Sequence, residues 1–410
     1  MKNIILLSLL TMLIYANPLQ NAIDRASPYS TIYLQNGRYQ GNITIDKPLS
    51  IIGKGGSVVI SGDREGSVIT ITSSHVKLDN LTIKNSGKSM IDIDSAVSLK
   101  RVEGCTITNC RIQDTLYGID MNMVNDTNIT HNTISSYDES KSFRGDAIKI
   151  WYSNRNLILS NIITRSRDFT LSFAQYNTIQ NNTITLGRHA LAIERSRYTL
   201  IRDNIFKHNS TSIMLEASRD TNISNNQILS SDGAAGIGVV IMGGGVLHFT
   251  HNTVSFNSRA FYIDTKIHER GMKRYFIDNT ISYNKEAFHF HLAIKNNTII
   301  GNKIVSNIDD VVQDIDTSIT KDNTIERNYW DRYGGFDIDG DGIGDTPYRV
   351  YQYADWLWHY NHNVKFFYAS VSMSLLNFLS QLAPFISPNM ILEDRLPLIY
   401  NSPYIPYFVD

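Results

Sequence analysis

A phrase of Asn, one intervening residue and then Ile or Val recurs through the chain, and it restricts the fold more than any other feature. It stands at Asn132/Ile134, Asn161/Ile163, Asn182/Ile184, Asn226/Ile228, Asn252/Val254, Asn279/Ile281 and Asn302/Ile304, and with one residue of slippage at Asn204/Ile205. The intervals run from 21 to 29 residues and cluster near 22. A period of that size means one supersecondary unit stacked many times, because a single unit cannot bury its own apolar face. Each unit is rich in Ile, Thr, Val and Phe in runs of three to five, parted by Asn, Asp, Ser and Gly. Those are strand and turn compositions, and long helical periodicity is absent over most of the chain. The prediction is an all-β chain, a single-stranded right-handed parallel β-helix over residues 17–328. The recurrent Asn is expected to tolerate left-handed backbone and to bond its amide to the same residue one coil away. That makes it a stacking ladder rather than a catalytic row.

A second phrase sits about eight residues after each Asn: a small residue, then alternating apolar and variable positions. GIDMNM from Gly118, AIKIW from Ala147, ALAIE from Ala190, SIMLE from Ser212, AFYID from Ala260 and AFHFH from Ala287 are its instances. Alternation sends one set of side chains inward and the other outward. Aligning the coils on Asn stacks one outward column as Ala192, Met214, Val240, Tyr262 and His289, and a second as Glu194, Glu216, Met242, Asp264 and His291. Rungs lie about 4.8 Å apart, and side chains two apart share a face. The strip admits three readings. It is a mixed solvated face, or a soft-metal surface in which Met214, Met242, His289 and His291 bind copper, above all Cu(I), or a glycan-cleaving groove built on Glu194, Glu216 and Asp264. The His289/His291 pair is its sharpest feature, since both imidazoles leave one side of one strand. Met121 and Met123 form a similar pair in an earlier coil, but Met packs more often than it binds.

Acidic and basic residues nearly balance, for a formal charge of −1, which argues against a nucleic-acid partner. The opening MKNIILLSLLTMLIYA carries Lys2, an apolar stretch from Ile4 to Leu13 and small Ala16. It reads as a signal peptide over residues 1–16, cleaved near Ala16, and is too short to cross a bilayer, which takes about 20 residues. No later segment is long and apolar enough to span a membrane, so the mature chain is expected to be soluble outside the cytoplasm. The two cysteines, Cys105 and Cys110, fall in a strand-and-turn pattern. Buried free thiols are the expected state; a disulfide or a thiolate copper ligand stays open. The stretch AIDRASPYSTIYLQNGRYQGNITIDKPLSIIGKGG forms the first coils and a cap, and resembles the start of pectin-lyase-like β-helices. That resemblance bears on fold and not on function.

After the last coil, over residues 329–350, comes an Asp-rich loop in which Asp337, Asp339 and Asp341 alternate and are followed by Gly342 and Asp345. These occupy positions 1, 3, 5, 6 and 9 of a calcium loop, with the Ile343 carbonyl at 7. Position 12 is Tyr348 rather than Glu, so the loop is no EF-hand. Four carboxylates this crowded repel one another unless a cation or solvent screens them. Calcium on this loop and an ion-free Asp/Gly turn are both open.

At this point a family resemblance emerges. NYWDRYGGFDIDGDGIGDTPYRV, from Asn328, resembles the signature of NosD, the exported accessory protein for nitrous oxide reductase maturation, and YRVYQYADWLWHY and NFLSQLAPFISP resemble that family's C-terminal region. The resemblance implies a periplasmic, non-enzymatic β-helix protein that works with an ABC transporter, made of a membrane subunit and an ATPase. It further implies a lipoprotein copper chaperone as partner and nitrous oxide reductase as the destination of copper. The resemblance supplies no ligand motif, so the copper residues rest on the coil alignment alone. The C-terminal extension, 351–410, fits this picture. Trp356 and Trp358 lie in an aromatic stretch, and Leu375, Phe378, Leu379 and Leu382 form one face of a short helix expected over 369–382. It serves as an end cap, as a partner-docking element, or as both. The competing reading is a secreted polysaccharide lyase, epimerase or hydrolase, for which Lys149 is the basic residue the outward column offers; a surface adhesin is a third.

Overall fold

The computed structural model describes residues 17–233, 235–264, 271–314, 322–352 and 389–399. The expected signal peptide and all six proposed docking residues, Trp356, Trp358, Leu375, Phe378, Leu379 and Leu382, lie outside those residues, as does the expected helix over 369–382.

The chain coils as the repeat dictates. Each coil gives one short strand to each of three sheets, and every strand pairs in parallel with its counterpart one coil away. Among the described residues the sheets hold 13, 13 and 12 strands. Register follows from burial, because a slip of one residue would turn the apolar set outward. In the first sheet Ile107, Ile129, Ile158, Ile179, Ile201 and Ile223 stack at one position of six successive coils, each fully buried. Burying such a side chain is worth about 1.5–3 kcal/mol, so each step of the column helps hold one coil to the next. Phe249 and Phe276 continue it, and their rings meet those of Phe261 and Phe288 at centroid distances of 5.0 to 5.4 Å.

The asparagine ladder is present. Asn132 donates its backbone N–H to Asn161 Oδ1 at 2.9 Å and its side-chain Nδ2–H to the same oxygen at 3.0 Å. The pattern repeats through Asn182, Asn204, Asn226, Asn252, Asn279 and Asn302 to Asn328. One expectation needs correction: the ladder residues are not the left-handed ones. Positive φ falls on the preceding residue, at His131, Ser160, Asn181, Asp203, Asn225, His251, Asp278, Gly301 and Arg327. The corner is turned one residue early, which lets the Asn side chain point into the buried stack.

Both ends of the solenoid are closed. The helix Pro18–Arg25, whose N-terminal N–H groups at Leu19 and Gln20 donate to Asn17 Oδ1, lays buried Leu19 and Ile23 over the first coil. At the other end, Tyr348–Gln352 and Asn389–Asp394 pair as antiparallel strands. Asp394 ends the ladder: its Oδ2 accepts from Asn328 N at 3.1 Å, Asn328 Nδ2 at 2.9 Å and Trp330 Nε1 at 2.9 Å. Cys105 and Cys110 are free and buried; burial raises both thiols, Cys110 to about 12. Protonated thiols inside the core are poor metal ligands.

Candidate metal centre

The outward columns of the third sheet run as the sequence predicts. Ala192, Met214, Val240, Tyr262 and His289 are successive partners, as are Glu194, Glu216, Met242 and Asp264. The columns do not gather every proposed ligand. Met214 stands three rungs from His289, about 14 Å along the stack, and Met242 stands two rungs from His291 with Asp264 between. The thioethers are therefore not part of one centre with the histidines.

Carboxylates surround the histidines instead. His289 is almost fully buried, with its Nδ1 2.6 Å from Glu286 Oε2, and Arg259 Nε donates to that same oxygen at 2.8 Å. On the other side His289 Nε2 lies 3.1 Å from Asp314 Oδ1 and His291 Nδ1 lies 2.9 Å from Asp314 Oδ2. The first of these has the distance of a hydrogen bond without its direction, so Nε2 is a buried nitrogen with no hydrogen-bond partner. Tyr262 stacks on His289 at 5.2 Å. Burial pushes both carboxyls up, yet both stay below their usual range. His289 and Arg259 hold Glu286 there, and His291 and His289 hold Asp314. The result is a chain of alternating groups, Arg259–Glu286–His289–Asp314–His291. Glu286, Arg259 and Asp314 were absent from the sequence-derived set. Asp314 was within reach of that reasoning, because it is the residue one coil beyond His291 in the same column.

The same edge of the sheet carries a second buried network. Arg167 Nη2 contacts Asp146 Oδ1 at 3.0 Å, Arg188 pairs with Asp168, and His189 Nδ1 lies 3.3 Å from Asp168 Oδ1. Thr170 Oγ1 donates to Asp146 Oδ2 at 3.0 Å. Burial pushes both carboxyls up; a neighbouring Asp168 adds to this at Asp146, whose carboxyl is raised. At Asp168 the bonds from His189 and Arg188 prevail and hold the carboxyl far below its usual range. Lys149 lies near these groups, with Asp120 as its column neighbour on one side and Thr170 on the other.

The Asp-rich loop is exposed and clipped by the chain's last described residues, with Gly344 N donating to Pro397 O and Ile399 N to Gly342 O. Asp337, Asp339 and Asp341 bring one carboxylate oxygen each within 4.8 Å of one another, the one such group of His, Cys, Asp or Glu side chains among the described residues. Asp345 turns away to accept from Ile338 N at 2.7 Å. Asp337 accepts from Gly340 N and Gly342 N at 2.7 and 2.9 Å, and Asp341 from Ile343 N at 2.7 Å. Backbone N–H groups of the loop thus account for its shape. The ligand atoms of His289, Asp314 and His291 do not converge in this way: each ring contacts a different oxygen of the Asp314 carboxylate that lies between them.

Fold and site together define a class, a parallel β-helix whose outer face carries a buried imidazole–carboxylate chain near one end. Residues 136–335 match the family described as "Periplasmic copper-binding protein (NosD)". Over that stretch the chain is similar to the NosD family, and two curated relatives carry the same name. A "Probable ABC transporter binding protein NosD" of Pseudomonas aeruginosa is 25% identical over 155 residues, 37% of this chain and 36% of that protein. Its namesake in Stutzerimonas stutzeri is 28% identical over 137 residues, 33% and 31% of the two chains. The matches span about a third of each relative's length. Among solved structures, the AlgE4 A-module of Azotobacter vinelandii mannuronan C-5 epimerase superposes with a TM-score of 0.59 at 14% identity, over 76% of this chain and 94% of that one. A mannuronic acid specific family 6 polysaccharide lyase from human gut microbiota gives 0.53 at 14% identity, over 75% and 82%. At that identity the likeness is one of fold alone. The comparisons lend calcium no support.

Proposed function

We propose that the chain is a periplasmic accessory factor in nitrous oxide reductase maturation and that it handles copper on the outer face of its third sheet. In this reading it acts without catalysis, receives copper from a lipoprotein chaperone, and works beside the membrane subunit and ATPase of an ABC transporter. The observation that carries the reading is the NosD-family match over residues 136–335, which contains the whole Arg259–Glu286–His289–Asp314–His291 chain. Imidazole and carboxylate are copper donors, and this face of the sheet sets His289 and His291 beside Glu286 and Asp314. Met214 and Met242 leave the proposed site, since the register separates them from the histidines. The Asp-rich loop stays outside it too: Asp337, Asp339, Asp341 and Asp345 all follow the end of the family match.

Deleting the protein from its own host tests the role. The expected result is nitrous oxide reductase that is exported but lacks its full copper content, measured on the purified enzyme. A fully copper-loaded reductase from the deletion strain would sink the proposal.

A further inference from the structure

We propose that Trp151 and the polar side chains around it, Asp120, Asn122, Lys149 and Ser172, form a binding site for a saccharide on the outer face of the third sheet. The site needs neither copper nor catalysis, and Lys149 stands six rungs along its column from His289. Three successive strands supply it, Tyr117–Asn122, Ile148–Trp151 and Asp168–Ser172. Their register sets Trp151 between Asn122 and Ser172, and Lys149 between Asp120 and Thr170. Lys149 and Trp151 are two apart on one strand, so the ammonium group and the indole leave the sheet on the same side. Tyr152 follows at positive φ, and its ring meets the indole edge-on at 4.7 Å and stacks on Phe173 at 4.9 Å. That contact fixes the indole from one side. Among the described residues no ring lies parallel to it, and its column neighbours are an amide and a hydroxyl. The indole is a half-buried platform with polar groups about its rim.

The polar groups decide the ligand. Asp120 is 4% exposed, and its Oδ1 has no hydrogen-bond partner, a state that buried carboxylates rarely keep. Burial raises the Asp120 carboxyl, and the charge of Lys149, then that of Lys100, acts against the rise. Lys149 is therefore near, yet it leaves that oxygen unbonded. Among the described residues the half-buried side chains of Asn122, Lys149 and Ser172 also make no hydrogen bond. One acceptor, one donor and two groups that do both thus surround a single aromatic ring. A ligand that satisfies them has an apolar face and a rim of groups that each donate and accept. A sugar ring has this form, with its C–H face on the indole and its hydroxyls at the edge. A hydroxyl between the two rungs donates to Asp120 Oδ1 and accepts from Lys149 Nζ, and the long Lys149 stem supplies the movement that admits it. An aromatic side chain of a protein would cover the indole and leave Asp120 and Lys149 unmatched. A nucleotide would bring its phosphates towards the Asp120 carboxylate.

Calorimetric titration of the full mature chain with neutral cellotriose, N-acetylated chitotriose and acidic trigalacturonate tests this, with tryptophan fluorescence as a second readout. At least one trisaccharide is expected to bind and to change the fluorescence. Trp151→Ala should weaken that binding about 10-fold or more, the scale of truncating an aromatic anchor, whereas Trp151→Phe keeps a ring and most of the affinity. Asp120→Asn should weaken it too, and Lys149→Ala, at a half-buried surface position, tests the same pair where the buried variant folds poorly. Binding of none of the three, or binding unchanged in Trp151→Ala, would overturn the inference. Neither result bears on the copper reading, whose residues lie at the far end of the column.

Discussion

Two networks on one edge of the third sheet are built from the same residue types and differ in a single respect. Around Asp146 and Asp168, every buried charge has an opposite one against it: Arg167 spans the two aspartates, Arg188 closes on Asp168, and His189 leans on the same carboxylate. Around Glu286 and Asp314, the central imidazole sits between two carboxylates and keeps a nitrogen with no hydrogen-bond partner. The first arrangement is complete as it stands. It lies where the third sheet changes register, with one extra residue in His189–Glu194 opposite Asp168–Ser172, and its ion pairs fix that bulge. In the second, an imidazole rather than a guanidinium stands between the two carboxylates, with Arg259 beyond one of them and His291 beyond the other. The same residue types therefore build either a guanidinium-bridged or an imidazole-bridged network, and the placement of the arginines decides which.

The largest effect expected from this contrast is on stability. Asp168→Asn should leave Arg188 and part of Arg167 without their anion and cost about 3 kcal/mol in urea unfolding, the low end for breaking a buried pair because Arg188 is half exposed. Copper affinity should not change. An equal loss of copper binding in this variant would merge the two networks and break the comparison.

The pH response should separate the two ends next. Asp168 is held below its unfolded value, so its contribution is present above about pH 4 and lost as pH falls further. Beyond the histidine cluster, burial raises Asp309 to about 7 and Asp310 to about 6, with Glu286 and Asp310 adding to the rise at Asp309. The sign is opposite there. A carboxyl raised on folding stabilises fully below about pH 4, and that contribution is lost as pH rises through 6 and 7. Tyr348 donates to Asp310 Oδ2 at 3.0 Å, so the loss falls on the C-terminal hairpin. Hydrogen exchange at Tyr348–Gln352 should quicken between pH 5 and 7.5 in the native chain and much less in Asp310→Asn. An unchanged pH dependence in that variant would exclude Asp310 as the source.

How much of this was legible in the sequence follows from what repeats. The Asn ladder and the Ile columns recur every coil, so a single chain displays them many times over, and the register of Met214, Val240, Tyr262 and His289 followed from lining them up. Asp394 could not be found that way. It ends the ladder from 66 residues beyond Asn328, after a segment with no coil period. Glu286 lay in view within AFHFH's own strand, but nothing in the spacing says that its carboxylate folds back onto His289 Nδ1. That needs the side-chain direction, which alternation alone does not give. The thioethers erred the other way: a column implies a shared face, and a shared face is longer than one coordination sphere.

The smallest expected effect is the sharpest test of that last point. Met214→Leu and Met242→Leu keep side-chain volume and should change stability by less than about 1.5 kcal/mol. Both thioether sulfurs are then gone from the strip while Glu286, His289, Asp314 and His291 are untouched. Copper affinity should match that of the native chain, because the register puts Met214 three rungs and Met242 two rungs from the histidines. A paired loss of copper binding would mean that the ion is carried along the column rather than held at its end. The contrast between a guanidinium-bridged network and an imidazole-bridged one would then give way to a single conducting strip running from Met214 to His291.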